Sequence, residues 1–183
     1  LSGAHNPVNR AIAIGNQAKA GADQVIAIGN GAEATQLGAI SIGTENEVGG
    51  TSAIALGSGN NISNADAIAL GNNNVISGDC ATAIGTKAEA SQFGVAIGKS
   101  AKANENNSIA IGNELNVVTA NSIAIGPSSS ITTTAKSPEG YSIAIGANAN
   151  VVDGDYGIAI GSGTAATTVS DVNAIAIGHK AES

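Results

Sequence analysis

The feature that most constrains this chain is a period. The hexapeptide "NSIAIG" stands at 107–112, is followed by eight unrelated residues, and recurs letter for letter at 121–126. Aligned on the glycine that closes the phrase, twelve copies run through the sequence. They are anchored at Gly15, Gly29, Gly43, Gly57, Gly71, Gly85, Gly98, Gly112, Gly126, Gly146, Gly161 and Gly178. The spacing is 14 residues five times, then 13, 14, 14, 20, 15 and 17. Such self-similarity marks a stacked repeat array.

Read down the columns, the residue before each anchor glycine is Ile or Leu. Two residues further back stands Ile, with Thr82 and Val95 as exceptions, and Ala lies between them, replaced once by Ser41. Large, small, large is an alternation of period two, and Ile favours extended backbone, so the phrase is a β-strand. A second alternation follows the glycine. It places Ala18 and Ala20, Ala32 and Ala34, Ala88 and Ala90, Ala101 and Ala103, or Leu115 and Val117 around polar residues such as Lys19, Glu33, Glu89, Lys102 and Asn116. That pattern is a second strand with one face inward and one wet.

Two five-residue strands and two turns fill the period, whereas even short helical repeats need about 33 residues. The expected fold is an all-β, parallel β-solenoid (β-roll) of about twelve 14-residue two-strand rungs, stacked at ~4.8 Å. Residues 1–183 form a single repeat domain, with a partial rung at 1–9 and the longest insertion at 132–141. The anchor glycine ends the first strand, where the chain turns tightly or a neighbour approaches closely.

With no Trp or Met, one Phe and two Tyr, a lone roll buries little bulk, and a further buried surface is expected. One face of the first strand is small and uncharged, as in Ser108, Ala110 and Gly112, which suits an interface between copies, with the second strand outward. Two packings are open. Either the isoleucines (Ile12, Ile14, Ile26, Ile28, Ile40, Ile42, Ile109, Ile111, Ile123, Ile125, Ile143, Ile145) face into the roll and the small residues, Ala110 and Ala124 among them, meet a neighbouring subunit, or the reverse holds. Side-chain volume favours isoleucine inward.

Several function classes are disfavoured. The net charge of −7 is spread thinly without a basic cluster, which argues against nucleic acid as a partner. Cys80 is the single cysteine and has no partner for a disulfide or metal site. His5 and His179 share no column with another ligand. Asp153 and Asp155 make one turn rather than a repeated calcium motif, and no nucleophile–histidine–carboxylate grouping or phosphate loop has a suitable context. The expectation is no catalysis, no cofactor and no metal. No leader and no apolar run near 18 residues is present; if the protein is exported or anchored, those parts are expected outside this chain.

Two features could contact a ligand. Phe93, Tyr141 and Tyr156 share one column, five residues before the anchor glycine, with Cys80. This is either a corner that tolerates large side chains or an exposed aromatic edge for recognition. The 20-residue spacing between Gly126 and Gly146 inserts six residues, and solenoid insertions project as loops, often on the binding face. Lys136, Glu139 and Tyr141 form the best patch there, against the plainer reading of a tolerated surface loop.

The phrases NSIAIG at Asn107–Gly112 and Asn121–Gly126, and NAIAIG at Asn173–Gly178, with their alternating second half, resemble the head repeat of YadA-like trimeric autotransporter adhesins. That motif reads NSVAIG, and the resemblance spans residues 10–183. It implies a left-handed parallel β-roll, a homotrimer, and a place on a Gram-negative cell surface. A stalk and an outer-membrane β-barrel anchor would lie outside this chain. It also implies non-catalytic binding to host extracellular matrix proteins (collagen, fibronectin or laminin) or cell-surface receptors. In most copies Ala or Ser replaces the Asn or Ser of the motif. The competing readings are a structural spacer without a ligand, a hexapeptide-type acyltransferase, whose rungs need roughly 18 residues, and an ice-binding roll, for which only Thr132–Thr134 approaches a threonine array.

Overall fold

The computed structural model of the chain describes residues 10–132, 140–152, 156–163, 165–167 and 174–182. Every regular element among them is a β-strand, and each strand pairs in parallel with its counterpart one repeat away. The chain is an all-β parallel β-solenoid divided into two compact units, Leu1–Ala88 and Glu89–Ser183.

In the first unit, one sheet stacks Ile12–Ile14, Ile26–Ile28, Ile40–Thr44, Ile54–Ser58, Ile68–Asn72 and Thr82–Thr86 in sequence order. The other stacks Lys19–Ala20, Glu33–Ala34, Glu47–Val48, Asn61–Ile62 and Val75–Ile76. In the second unit, Val95–Ile97, Ile109–Ile111, Ile123–Ile125, Ile143–Ile145, Ile158–Ile160 and Ile175–Ile177 make one sheet. Glu89–Ala90, Lys102–Ala103, Asn116–Val117, Ser130–Thr132, Asn150–Val152 and Ala165–Thr167 make the other. Register keeps like on like: Ile109 pairs with Ile123, Ala110 with Ala124 and Ile111 with Ile125.

Both strands are mostly shorter than five residues, because the turns claim more of the period than the alternation suggests. Among the described residues, each turn contains one in the left-handed region. One column of these lies five before the anchor glycine, as in Asp66, Cys80, Asn107 and Asn121, and the other two after it, as in Gln17, Glu45, Lys87 and Glu114, with φ of 53–58° at these eight. The turns are also hydrogen-bonded from rung to rung: Asn121 N–H donates to Asn106 O at 2.9 Å and Glu114 N–H to Lys99 O at 2.8 Å. Stacking therefore continues through the corners and satisfies turn backbone as a sheet satisfies strands.

The anchor glycine serves both purposes expected of it. Gly57 has φ 125°, outside the region open to side chains, and a Cβ built on it would overlap the carbonyl of Gly71 in the next rung.

The interior reverses the side-chain orientation that volume favoured. Ala27, Ala55, Ala69, Ala96, Ala110, Ala124, Ala144 and Ala159 are fully enclosed, with Ser108 and Ser122, and they face Ala32, Ala34, Val48, Ile62, Val117 and Val151 of the second strand. Of the two packings left open, the structure takes the one that volume disfavoured: Ala110 and Ala124 line the roll, while Ile109, Ile111 and their column mates turn outward. Each corner joins the sheets through a few residues bent by a left-handed one, which holds the sheets close. An alanine layer fits that gap against larger second-strand residues, and a full isoleucine layer would overpack it.

One polar device breaks the apolar interior. Asn46, Asn60 and Asn74 replace alanine at the first inward position of the second strand in three successive rungs and are at most 1% exposed. Asn60 Nδ2 donates to Asn46 Oδ1 at 3.0 Å, to Gly71 O at 2.9 Å and to Leu56 O at 3.3 Å. Asn46 Nδ2 donates to Gly57 O at 2.9 Å and Ile42 O at 3.0 Å. Their Oδ1 atoms accept the backbone N–H of the next rung: Asn60 N to Asn46, Asn74 N to Asn60 and Ala88 N to Asn74. At Ala18 and Ala149 that N–H instead folds back on its own anchor glycine, Ala149 N–H on Gly146 O at 3.3 Å. The asparagine rungs keep the chain extended through the glycine, and their first strands reach five residues.

Candidate functional site

The turned-out isoleucines form the first candidate surface. Within each unit they make two adjacent columns without a single charge: Ile12, Ile26, Ile40, Ile54 and Ile68 beside Ile14, Ile28, Ile42, Leu56 and Leu70 in one, and Ile109, Ile123 and Ile143 beside Ile111, Ile125 and Ile145 in the other. Neighbours in a column cover each other's flanks, so most are half-buried, while Ile14 is 53% exposed and Ile42 37%. A continuous ridge of large aliphatic side chains toward water is the kind of patch that marks an interaction surface.

The outward face of the second strand is polar and paired with itself. Lys19 meets Glu33 at 2.6 Å, Lys102 meets Glu89 at 2.7 Å, and Asn61 Nδ2 donates to Glu47 Oε2 at 3.1 Å. Glu33 and Glu47 are register neighbours, and their repulsion is offset by Lys19 on one side and Asn61 on the other. Exposed pairs of this sort contribute about 0–1 kcal/mol each. A shallow, open depression of about 370 Å³ lies on this face between Ser100, Lys102, Asn104, Glu114, Leu115 and Asn116. It offers little enclosure for a small molecule.

The third surface is the turn edge carrying the left-handed column five before the anchor glycine. In the second unit it reads Phe93, Asn107, Asn121, Tyr141 and Tyr156, with φ of 55–62°. Asparagine tolerates that conformation, whereas bulky aromatic residues rarely adopt it. Asn107 Nδ2 donates to Asn121 Oδ1 at 3.1 Å. Tyr141 and Tyr156 stack with ring centroids 5.4 Å apart and planes 5° from parallel. The three aromatics are 46–51% exposed. The structure thus brings two of the aromatic candidates into contact, while Phe93 stands apart, with Asn107 and Asn121 between it and Tyr141 in the column. Lys136 and Glu139 lie outside the described residues, as do His5, Asp153 and Asp155.

Cys80 is an exposed free thiol at a left-handed turn position. Among the described residues no cluster of three or more His, Cys, Asp or Glu is placed to hold a metal ion. Reading the sequence missed the asparagine ladder. Its signal was there in "NEV", "NNI" and "NVI" at 46–48, 60–62 and 74–76, where other repeats have "AKA" or "AEA".

Residues 9–32, 34–60, 93–114, 139–164 and 153–181, together more than half of the chain, match the family described as the YadA head domain repeat (2 copies). The chain belongs to the YadA head domain family. No curated protein matches it. YadA heads are non-enzymatic adhesin domains, and membership points to a surface-exposed autotransporter adhesin. Proteins of the family form trimers and bind host factors. In this YadA head, the repeat phrase supplies alanine to the roll, isoleucine to the outside, a left-handed corner and a closing glycine.

Proposed function

We propose that this chain, across residues 1–183, is head material of a homotrimeric, non-catalytic surface adhesin. Its ligands are host extracellular matrix proteins of the collagen, fibronectin or laminin kind, or cell-surface receptors. Membrane anchoring runs through parts of the protein beyond this chain, and the roll is left-handed, as the resemblance implies.

The observation that supports assembly is the pair of uncharged isoleucine columns. They stand half out of water on a chain whose net charge is −7, and closing them against two further copies removes that apolar area from solvent. Sedimentation tests the trimer: three chain masses are expected, and a stable monomer at micromolar concentration rejects it. The ligand surface is assigned to the aromatic turn edge of Phe93, Tyr141 and Tyr156, with Lys136 and Glu139 close to Tyr141 in sequence. Solid-phase binding to immobilised collagen, fibronectin and laminin tests this assignment. The self-paired charges of the outer sheet favour a second reading, a spacer without a ligand, which gains if no matrix protein binds.

A further inference from the structure

Tyr141 and Tyr156 are the chain's two tyrosines, and they are stacked nearly parallel at 5.4 Å on an exposed edge. Stacking turns one face of each ring toward the other, while about half of each residue stays open to solvent. The backbone beneath them is held by the turn ladder: Tyr156 N–H donates to Gly140 O at 3.0 Å and Tyr141 N–H to Ala120 O at 3.3 Å. Exposed side chains rotate on ps–ns timescales, so the rings can exchange a stacked for an edge-to-edge contact without opening the ladder.

We propose that this pair is a site of oxidative coupling, at which a one-electron oxidant of the peroxidase class, driven by hydrogen peroxide, joins Tyr141 to Tyr156 as an intrachain dityrosine. Each phenol first loses one electron and its hydroxyl proton, giving two phenoxyl radicals with spin on the Cε carbons next to the oxygen. One Cε of each ring forms the new carbon–carbon bond. The hydrogens on those two carbons then move to the phenolic oxygens and restore both rings. In total the protein loses two hydrogen atoms, and one hydrogen peroxide is reduced to two waters. No nucleophile, metal or residue elsewhere in the chain is required.

Proximity makes the reaction intramolecular. Tethered neighbours meet at an effective concentration in the mM range or above, roughly a thousandfold over a micromolar solution. Holding the rings in contact adds to that advantage over an unfolded chain. The inference is independent of the adhesin reading, because it depends on the folded turn edge alone.

The test treats the intact protein with a peroxidase and an equimolar amount of hydrogen peroxide, using a mixture of light- and heavy-isotope-labelled chains. The expected product is a single chain lighter by two hydrogens, with dityrosine fluorescence and a mapped link between residues 141 and 156 that joins light to light and heavy to heavy. The rate should fall roughly tenfold in denaturant, where the stack is lost but the tether remains. Tyr141→Phe and Tyr156→Phe keep a ring in place, and each should abolish the intrachain product. Conjugates mixing light with heavy as the main product would overturn the proposal. So would an intrachain product that survives either substitution, or a rate unchanged by denaturant.

Discussion

Asn60 Nδ2 lies 3.0 Å from Asn46 Oδ1, with both side chains sealed between the two sheets. Each amide in this ladder uses its oxygen on the backbone of the following rung and its nitrogen on backbone carbonyls. The rungs of the ladder are therefore coupled, and their removal costs should not add. Asn60→Ala removes the acceptor of the buried Asn74 N–H, at about 1–3 kcal/mol. Replacing Asn46, Asn60 and Asn74 together lets these rungs adopt the alanine-type turn found elsewhere in the chain. Urea unfolding of the single and triple variants should give a triple cost well below three times the single cost.

Gly57→Ala and Gly31→Asn both place a side chain at positive φ, yet they should differ sharply. At Gly57 the φ of 125° excludes side chains and the new Cβ strikes the Gly71 carbonyl. At Gly31 the φ is 65° and the nearest atom to a new Cβ is Glu45 Cγ at 3.5 Å. Thermal melts should show a loss of roughly 3 kcal/mol or more for Gly57→Ala. For Gly31→Asn the change should be under about 1 kcal/mol, since asparagine tolerates the left-handed region.

Ile109→Asp and Ala110→Leu probe the two faces of one strand. Ile109 points outward, so the charge should break assembly, read as a shift to monomer mass in sedimentation, while circular dichroism still reports β-structure. Ala110 is fully enclosed, and the added bulk should destabilise the fold by about 1–3 kcal/mol in denaturant unfolding. An Ile109→Asp protein that keeps the mass of the parent would remove the isoleucine columns from the interface.

Phe93→Asn exchanges an aromatic residue for the one best suited to its φ of 56°. Relief of the left-handed strain should raise stability by up to about 1 kcal/mol. If the aromatic edge contacts the ligand, solid-phase binding should fall in the same variant, so that stability and binding move in opposite directions.

The sequence carried the period, the two strands of each rung, the parallel stacking and the double duty of the anchor glycine, because each of these repeats in every copy. Orientation was not legible. Alternation separates Ile109 and Ile111 from Ala110, but it does not say which side is in. That depends on sheet separation, which is set by corners whose left-handed residues include Gln17, Cys80, Lys87 and Glu114, types that do not announce such a turn. Asn46, Asn60 and Asn74 were hidden for a related reason: an isolated polar residue in an alternating pattern reads as surface, and only the neighbouring rungs reveal that its hydrogen-bonding groups are met. The aromatic column was visible as a column, and the contact between Tyr141 and Tyr156 required a distance.

The like-on-like register has a consequence at the level of the gene. Ile109 sits on Ile123 as Ile123 sits on Ile143, and Ala110 on Ala124 as Ala124 on Ala144. Recombination between the two identical NSIAIG phrases would delete or duplicate 14 residues and hand every remaining first-strand side chain a neighbour of the type it already had. The number of rungs is thus free to drift by whole units without a new core having to be invented, and a lineage can lengthen or shorten this segment in single genetic events.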